Sequence, residues 1–361
     1  MTHRLARGGA CAERPPVVCQ RPFGVTWRVE GPMRAFAIDA FGEEGSIHEL
    51  PDPVPGEGEV LVRVKVAGMN ATDIFVMAGF MKDYVEHRFP LVIGIDASGV
   101  VERVGPGVEA YREGDEVYGY VRKQLMGEGT MADVVSLGIG GLTHKPRTIT
   151  WEEAAVVGHS ALTAAAAVED VALRRGNRLV LLGGTGGVGS YATQFAAERG
   201  VEVIAVTRPE FTIYAQSMGA AGVVDYTVED PVEELRMRFP DGVDAVIDLV
   251  GIPDLLARVA SVLKPGGRVA STVLPPDMQG VARLGIEGKM TVRYAAEHRF
   301  PEIAVRIAEG SLRVPAIQSF PFDHVQDAVA LQATRHVRGK IAVQIGLAAH
   351  AEAELEAIVP A

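Results

Sequence analysis

Glycines recur at fixed spacing in one short segment, and their spacing indicates a phosphate-binding turn. The segment satisfies G-x-G-x-x-G and reads Gly184-Thr185-Gly186-Gly187-Val188-Gly189. It follows an apolar predicted strand, Leu179 to Leu182, and opens a predicted helix, so free backbone N–H groups and the positive end of the helix dipole face the loop. The first glycine makes the tight turn, the second admits a pyrophosphate, and the third lets the helix pack on the strand. We therefore predict a dinucleotide here, the alternative being a plain glycine turn.

The end of the next predicted strand indicates which dinucleotide to expect. NAD enzymes place Asp or Glu there to bind the ribose hydroxyls, whereas this strand ends Val206-Thr207-Arg208-Pro209. Arg208 can pair with a 2′-phosphate through its planar guanidinium, and Thr207 can add a hydroxyl donor. Glu210 is the alternative ribose ligand and leaves NAD open. On balance the residues favour NADP(H).

Metal chemistry lacks candidate ligands. A catalytic zinc needs three protein ligands, and both cysteines, Cys11 and Cys19, lie in the first 32 residues. The sets that remain, drawn from His87, Asp96 and His159, follow no ligand spacing. We predict no metal, so activation of a carbonyl group must come from hydrogen bonds.

Two regions of different periodicity must position the glycine loop. From Arg34 to about Arg147, short strands are punctuated by glycine and proline, which predicts a small β-rich domain. After Trp151 strands and helices alternate, and the sixth predicted strand is Met290 to Tyr294. Such alternation predicts an α/β fold with a doubly wound, parallel, six-stranded Rossmann sheet. A helical stretch, Phe322 to Thr334, and a final strand, Lys340 to Ile345, are expected near the end.

Composition excludes several classes of partner. The formal net charge is -11, and no lysine- or arginine-rich run interleaved with aromatics offsets it, so nucleic acid is not expected. The longest apolar stretch, Ala154 to Val168, is interrupted by Gly158 and His159 and is too short for a membrane span. Because the cysteines are confined to a leader without a secretory apolar region, we expect a cytoplasmic protein.

Beyond these patterns, several segments over about Met33 to Ile345 resemble the medium-chain dehydrogenase/reductase superfamily, and within it the zinc-independent quinone oxidoreductase branch. They are Gly68-Met69-Asn70-Ala71-Thr72-Asp73, Phe89 to Val101, Gly114-Asp115-Glu116-Val117 and Gly339-Lys340-Ile341. The resemblance implies a GroES-like β domain, completed by the C-terminal segment, with the active site in the cleft beside the nucleotide domain. It also implies a homodimer formed through the last strand of the nucleotide domain.

The domain boundaries follow from both arguments. We predict a disordered N-terminal extension at 1–32, a GroES-like catalytic domain at 33–152 and 300–346, a Rossmann NADP-binding domain at 153–299, and a C-terminal tail at 347–361.

The resemblance also assigns roles to individual residues. Zinc-dependent relatives carry Cys in place of Asn70 and Gly-His-Glu in place of Gly94-Ile95-Asp96, so a zinc-free enzyme is implied. Asn70 is placed near the nicotinamide and the reacting carbonyl; a turn-capping asparagine is the alternative. Thr163 and Lys340 are placed near the cofactor, and Tyr226 near the adenosine phosphate.

Three positions depart from the family pattern or leave it open. The family usually carries Lys at Phe211 as a 2′-phosphate ligand, so its absence leaves that task to Arg208. Tyr84 lies in the loop that often holds a cleft tyrosine and is a candidate proton donor, with a packing or surface role as the alternative. His159 could face the cleft, but a buried neutral histidine bonded to backbone is the favoured interpretation.

These observations predict a zinc-free, NADPH-dependent oxidoreductase that transfers hydride to a quinone or α,β-unsaturated carbonyl, with Asn70 and backbone amides stabilising the oxyanion. Tyr84 or water then supplies the proton. An enoyl-thioester reductase is one alternative. It needs a positively charged entrance to the active site for the phosphates of CoA or of a carrier, and Arg122, Lys123 and Arg299 are available for it. A non-catalytic NADP-binding redox sensor is another. The exact small-molecule substrate is not specified, because the loop from Phe75 to Phe89 holds no diagnostic polar pair.

Overall fold

The computed structural model describes residues 32–123, 125–228, 230–252, 254–273 and 278–346. The predicted N-terminal extension and C-terminal tail lie outside the described residues, except for Pro32, with which the first strand begins. Among the helices that are described, none is long and apolar enough to cross a membrane.

The described residues before 150 are mostly β-structure. The strands are β1 (Pro32–Ile38), β2 (Ser46–Pro51), β3 (Glu59–Met69), β4 (Glu86–Val92), β5 (Asp96–Val104), β6 (Glu116–Tyr120), β7 (Leu125–Glu128), β8 (Val134–Gly138) and β9 (Leu142–His144). A short helix, α1 (Ala71–Met77), follows β3 directly. Strands β2, β1, β4 and β7 pair in that order into a four-stranded sheet, and the others contribute to a seven-stranded one.

From Trp151 onward helices and strands alternate. Two helices, α2 (Trp151–Ala155) and α3 (Gly158–Asp170), precede the series β10 (Arg178–Leu182), α4 (Gly187–Glu198), β11 (Glu202–Thr207), α5 (Thr212–Ser217), β12 (Gly222–Asp225), α6 (Pro231–Arg238), β13 (Val243–Asp248), α7 (Leu255–Ala260), β14 (Leu263–Ser271), α8 (Met278–Arg283) and β15 (Glu287–Met290). The six strands lie in the order β12-β11-β10-β13-β14-β15, and every neighbouring pair is parallel. This order is typical of dinucleotide-binding sheets and confirms the predicted doubly wound fold.

The sixth strand, predicted at Met290 to Tyr294, is wrong in its bounds, because the structure has it at Glu287–Met290. The strand ends at Met290, and Arg293–Arg299 form a 3-10 helix. The reason is the buried side chain of Arg293, which donates to the carbonyl oxygen of Val121 at 3.0 Å and stacks 4.8 Å from the Tyr120 ring. These contacts hold the chain against β6 instead of along the sheet.

The chain then returns to the first sheet. The last elements are α9 (Phe300–Ala308), β16 (Ile317–Pro321), α10 (Val325–Ala333) and β17 (Lys340–Gln344), so the predicted final helix and strand are confirmed within a few residues. Strand β17 pairs antiparallel with β3, with Ile341 opposite Met69. The seven-stranded sheet therefore runs β16-β17-β3-β5-β6-β9, with β8 beside β3.

One apolar core joins the two regions. Leu162 of α3, Leu179 of β10 and Phe300 of α9 are buried in the same cluster as Tyr118 and Tyr120 of β6. The rings of Tyr120 and Phe300 pack edge to face at 5.1 Å. Burying large side chains of this kind stabilises a fold by about 2 kcal/mol each, so this core fixes α3 beside the β-rich sheets.

Candidate active site

The glycine loop has the geometry of an anion-binding turn. It joins β10 to α4, and Gly186 is the N-cap of α4 with an extended backbone (φ −74°, ψ 177°) and no capping side chain. Helix N-termini leave their first N–H groups without intrahelical partners, so those of α4 remain for a ligand. Gly187, Val188 and Gly189 line a cavity of about 550 Å³.

Contacts around the loop distinguish two glycines that are closely packed from one that faces open space, and the positive φ expected of the turn falls on Gly183 (φ 81°) and not on Gly184. A Cβ on Gly184 would lie 2.7 Å from the Ala205 side chain, and one on Gly189 would lie 2.3 Å from the carbonyl oxygen of Gly183. Both positions therefore need glycine for close packing. A Cβ on Gly186 would contact only that same oxygen, at 3.6 Å, so this glycine faces open space. The loop fits a pyrophosphate at Gly186.

The far end of the same cavity collects the residues expected at the adenosine ribose. Because β11 and β12 are parallel neighbours with Thr207 opposite Asp225, the residues that follow them, Arg208 and Tyr226, lie side by side. The Arg208 Nε donates to the Tyr226 hydroxyl at 3.2 Å, and its guanidinium also lies 3.7 Å from the Glu210 carboxylate. Thr207 is buried, and its hydroxyl shares a 2.8 Å hydrogen bond with Thr185.

The start of β17 crosses the glycine loop. Gly339 donates its backbone N–H to the carbonyl oxygen of Thr185 at 2.8 Å and forms a parallel bridge with Gly186. The next residue, Lys340, is buried, and its Nζ donates to the Met69 carbonyl oxygen at 2.8 Å and to the Asn70 Oδ1. The C-terminal strand thus reaches both the nucleotide loop and the end of β3.

Three strand termini bring together a buried polar network. Asn70 directly follows β3, Asp96 begins β5 and Lys340 begins β17, and the pairing of Gly68 with Asp96 fixes their proximity. The Asn70 Nδ2 donates to the Asp96 Oδ2 at 3.0 Å, so the amide is held by the lysine on one side and the carboxylate on the other. Asn70 is also the N-cap position of α1.

Asp73 completes this network from the first turn of α1. Its two carboxylate oxygens accept the backbone N–H groups of Asn70 at 2.7 Å and of Gly94 at 3.2 Å. Burial raises the pKa of Asp73 to about 7, and burial also raises the pKa of Asp96 and lowers that of Lys340. The site therefore holds one carboxyl group, that of Asp73, near its titration midpoint, beside a second buried carboxyl group and a buried lysine.

His159 departs from the expected interpretation. Its ring does not bond to backbone: Nε2 lies 3.2 Å from the Thr72 hydroxyl, and Nδ1 is buried without a hydrogen-bond partner among the described residues. Its backbone N–H donates to the Asp96 Oδ1 at 2.7 Å, and its carbonyl oxygen accepts from the Thr163 hydroxyl at 2.7 Å. Burial, with Arg293 and Lys340 nearby, holds the pKa of His159 well below its ordinary value, so the ring is neutral.

A second cavity of about 760 Å³ adjoins the first. Both cavities are lined by Thr72, Phe75, His159, Thr163 and Thr272, so these residues mark their junction. The sequence argument placed Thr163 near the cofactor and named His159 as a residue that could face the cleft. It missed Thr72, Phe75 and Thr272, because a single hydroxyl or ring carries no positional signal of its own.

Tyr84 lies at the outer rim of the second cavity and is 81% exposed. The described residues offer its hydroxyl no hydrogen bond. The structure thus separates it from Asn70, which is buried at the inner end of the first cavity.

The residues at the junction do not fit a catalytic zinc. Ile95 carries no ligand atom, the Asn70 amide is engaged on both sides, and both oxygens of Asp96 accept hydrogen bonds. Among the described residues, no group of three His, Cys, Asp or Glu side chains could hold a metal ion.

Comparison with known proteins agrees with this architecture. Residues 56–170 match the alcohol dehydrogenase GroES-like domain, and residues 218–343 match the zinc-binding dehydrogenase family. The chain is 31% identical to the NADPH-dependent alkenal/one oxidoreductase of Arabidopsis thaliana, over 80% of this chain and 72% of the relative. It is 28% identical to the mitochondrial NAD(P)H oxidoreductase RTN4IP1 of Mus musculus, over 95% and 97%.

A solved structure extends the comparison to three dimensions. The crystal structure of an NAD-dependent alcohol dehydrogenase is 30% identical, with a TM-score of 0.75, over 87% of this chain and 100% of that one. The chain therefore belongs to the medium-chain dehydrogenase/reductase superfamily, a class of oxidoreductases built from a GroES-like domain and a Rossmann-type sheet.

Proposed function

We propose that this protein is a zinc-free NADP(H)-dependent reductase of conjugated carbonyl compounds, enones or quinones. When bound, the nicotinamide cofactor supplies the hydride. The observation that carries the proposal is that one cavity runs from Arg208 and Tyr226, past the glycine loop, to Thr163 and Asn70, and there meets a second cavity large enough for a substrate. The proposed cleft lies between the catalytic domain (33–152 with 300–346) and the nucleotide domain (153–299).

The cofactor preference rests on charge. Arg208 offers a guanidinium beside the Tyr226 hydroxyl, and no carboxylate ends β11 itself. Glu210 lies near Arg208 but is half exposed, so a dianionic phosphate can replace it as the arginine's partner. The relative from Arabidopsis thaliana, whose name specifies NADPH, supports this choice.

The remaining residues hold the reacting groups in place. The pyrophosphate site consists of Gly184, Gly186, Gly187, Val188 and Gly189, and Thr207 belongs with Arg208 to the 2′-phosphate site. Asn70 stands next to the substrate carbonyl, and Lys340 keeps its amide oriented. Tyr84 is the sequence-based proton donor and would reach the substrate only from the cavity rim.

The enoyl-thioester alternative is less well supported, because its basic entrance is neutralised. Arg122 forms a 2.9 Å ion pair with Glu297, Lys123 pairs with Glu128, and Arg299 pairs with Glu169 and Glu302. These cations are committed to carboxylates and are not arranged for the phosphates of a CoA.

We also propose a homodimer that pairs through β15, whose four residues form an exposed edge of the nucleotide sheet. Edge strands present unpaired backbone groups that a second copy can complete. The cytoplasmic location stays a prediction, and the mouse relative's name places that protein in mitochondria.

The test is oxidation of NADPH and NADH against a panel of enones and quinones, with EDTA present throughout. We expect NADPH-dependent reduction of at least one conjugated acceptor, unaffected by EDTA and absent with simple alcohols plus NADP⁺. Zinc dependence, or activity with alcohols only, would overturn the proposal. Cofactor binding without turnover on any acceptor would favour the redox sensor.

A further inference from the structure

A buried arginine without a role in the proposed function lies in the wall of the second cavity. Arg293 is 7% exposed, and its ion-pair partner Glu297 and the nearby Arg122 line the same cavity. The volume of about 760 Å³ falls within the range of about 300 to 1,000 Å³ that holds drug-sized ligands, so a substrate can extend well beyond its reacting carbonyl. Arg293 can therefore meet a part of the substrate that does not react.

The Arg293 guanidinium is fixed in position by contacts that use only two of its donors. Its Nη1 donates to the Glu297 carboxylate at 2.6 Å, and its Nη2 donates to the Val121 carbonyl oxygen at 3.0 Å. The centres of the Tyr120 and Tyr294 rings lie 4.8 and 4.3 Å from its Cζ. A guanidinium has five N–H groups, so three of them, the Nε–H included, have no hydrogen-bond partner among the described residues. Buried donors are normally satisfied, so these N–H groups are suited to a ligand in the cavity.

Two guanidinium groups share one carboxylate at this wall. Glu297 pairs with Arg293 and also with Arg122, whose Nη2 lies 2.9 Å from the Glu297 Oε2. Within the part of the chain that the structure describes, neither arginine has another carboxylate at ion-pair distance. Two positive charges and one negative charge leave one positive charge without a counterion, which favours a singly charged anion in the cavity.

The other charged groups of the second cavity leave no such surplus. The ion pairs among them are Lys123–Glu128, Lys123–Glu59 and Arg88–Glu128. These two cations and two carboxylates balance each other. The remaining carboxyl groups are those of the exposed Glu86 and of the buried Asp73, which has Lys340 as its countercharge. An anion therefore meets excess positive charge at Arg293.

Arg293 lies close to the point where the two cavities meet. Burial lowers the pKa of His159, and the positive charge of Arg293 lowers it further. Burial raises the pKa of Asp96, and the charges of Lys340 and Arg293 oppose that rise. His159 lines the junction and Asp96 binds its backbone N–H, so the guanidinium acts on groups at the reacting end of the site. A substrate whose carbonyl lies at the junction can reach Arg293 with another part of the same molecule.

We propose that Arg293 binds a carboxylate group of the substrate, so that the preferred acceptors are enones or quinones carrying one carboxylate apart from the reacting carbonyl; this inference rests on the proposed function. A planar guanidinium can donate two parallel N–H groups to a carboxylate. One unpaired positive charge suits one such group and not the several phosphates of CoA. Arg293 contacts a group that does not react, so it determines specificity and takes no part in hydride transfer.

The first experiment varies the substrate. It uses straight-chain methyl enones that end in a carboxylate, with a chain of increasing length between the two groups, and compares each acid with its methyl ester. For the wild type we expect a chain length at which kcat/KM for the acid exceeds that for the ester by about 10-fold or more, through a lower KM at similar kcat. An acid-to-ester ratio near unity at every chain length would overturn the inference.

The second experiment changes the arginine. Arg293→Gln should abolish the preference for the acid while keeping kcat/KM for the esters within about 3-fold of wild type. Arg293→Lys should keep part of the preference, because lysine retains the charge without the planar fork. Arg306→Gln is the matched control, since Arg306 also pairs with carboxylates and stacks on an aromatic ring but does not line the cavity. An equal loss for acids and esters in Arg293→Gln would mean a structural role and overturn the inference.

A variant at an exposed position decides the question if melting temperatures show that Arg293→Gln does not fold. The Arg122 side chain is 45% exposed and shares Glu297, so Arg122→Gln should lower the acid-to-ester ratio by about 3-fold, and an unchanged ratio would overturn the inference. Calorimetry with the saturated keto acids and their esters, on protein saturated with NADP⁺, separates the two proposals. If the wild type reduces no acceptor yet binds the acid more tightly than the ester, and Arg293→Lys or Arg122→Gln weakens that preference, the proposed function fails and the carboxylate site stands.

Discussion

The ammonium group of Lys340 donates to the amide oxygen of Asn70, although the two residues are 270 positions apart in the chain. This bond joins the first residue of β17 to the residue that caps α1. The positive charge of Lys340 lowers the pKa of both Asp73 and Asp96, so its removal leaves Asp73 without this countercharge and Asp96 with Arg293 alone.

The variant Lys340→Met tests that dependence. The substitution leaves two buried acceptors, the Met69 carbonyl oxygen and the Asn70 Oδ1, without their donor, and each unsatisfied buried group costs about 1 to 3 kcal/mol, so the free energy of unfolding should fall by about 3 kcal/mol. Chemical denaturation followed by circular dichroism measures it, with exposed Lys82→Met as the matched control, expected within about 0.5 kcal/mol of wild type. Equal stability of the two variants would contradict the network.

Asp73 should make stability depend on pH. Its folded pKa of about 7 lies above the ordinary 3.8, so the folded state binds more protons than the unfolded state between these values. The stability it contributes is therefore present at low pH and is lost as pH rises through about 7, by about 1.4 kcal/mol per pH unit between roughly pH 5 and 7. Asp73→Asn removes this titration, so the difference between the two proteins should change with pH. Parallel stability curves would contradict the raised pKa.

Two glycines of the loop should separate folding from cofactor binding. Gly186→Ala places its methyl group in open space, so the apo-protein should stay within about 1 kcal/mol of wild type, while the affinity for NADPH should fall by about 10-fold or more. Gly189→Ala forces a methyl group against the Gly183 carbonyl oxygen and should destabilise the apo-protein by about 2 kcal/mol. Thermal melts and fluorescence titration with NADPH distinguish the two. The prediction fails if Gly186→Ala binds NADPH normally.

Arg208 should select between the two nicotinamide cofactors. Because the Arg208 guanidinium would lose its hydrogen bonds to the 2′-phosphate, Arg208→Ala should weaken NADPH binding by roughly 10- to 100-fold and leave NADH binding nearly unchanged. The exposed Arg236→Ala, remote from the cavity, is the control. An equal loss of affinity for NADPH and NADH would mean that Arg208 stabilises the loop and does not bind the 2′-phosphate.

Local patterns predicted most of the nucleotide-binding sheet, because the alternation of strands and helices and the glycine spacing depend only on residues that are close together in the sequence. Errors arose where distant contacts decide the outcome. The position at which β15 ends depends on how Arg293 packs against Tyr120. The side chain that hydrogen-bonds to the His159 ring is Thr72, 87 positions away. No periodicity encodes such pairings. The Ala-rich stretch around His159, which the sequence argument rejected as a membrane span, proved to be the buried helix α3, which bears two of the junction residues, His159 and Thr163.

The return of β17 into the seven-stranded sheet also bears on the order of events at the ribosome. All strands of the nucleotide sheet, β10 to β15, are translated before β17, so that sheet can close while the β-rich one still lacks two of its strands. Domains generally fold as units during synthesis. The β-rich region is therefore synthesised first but completes its sheet last. Lys340 joins the buried carboxyl groups of Asp73 and Asp96 only after the nucleotide-binding region has been synthesised.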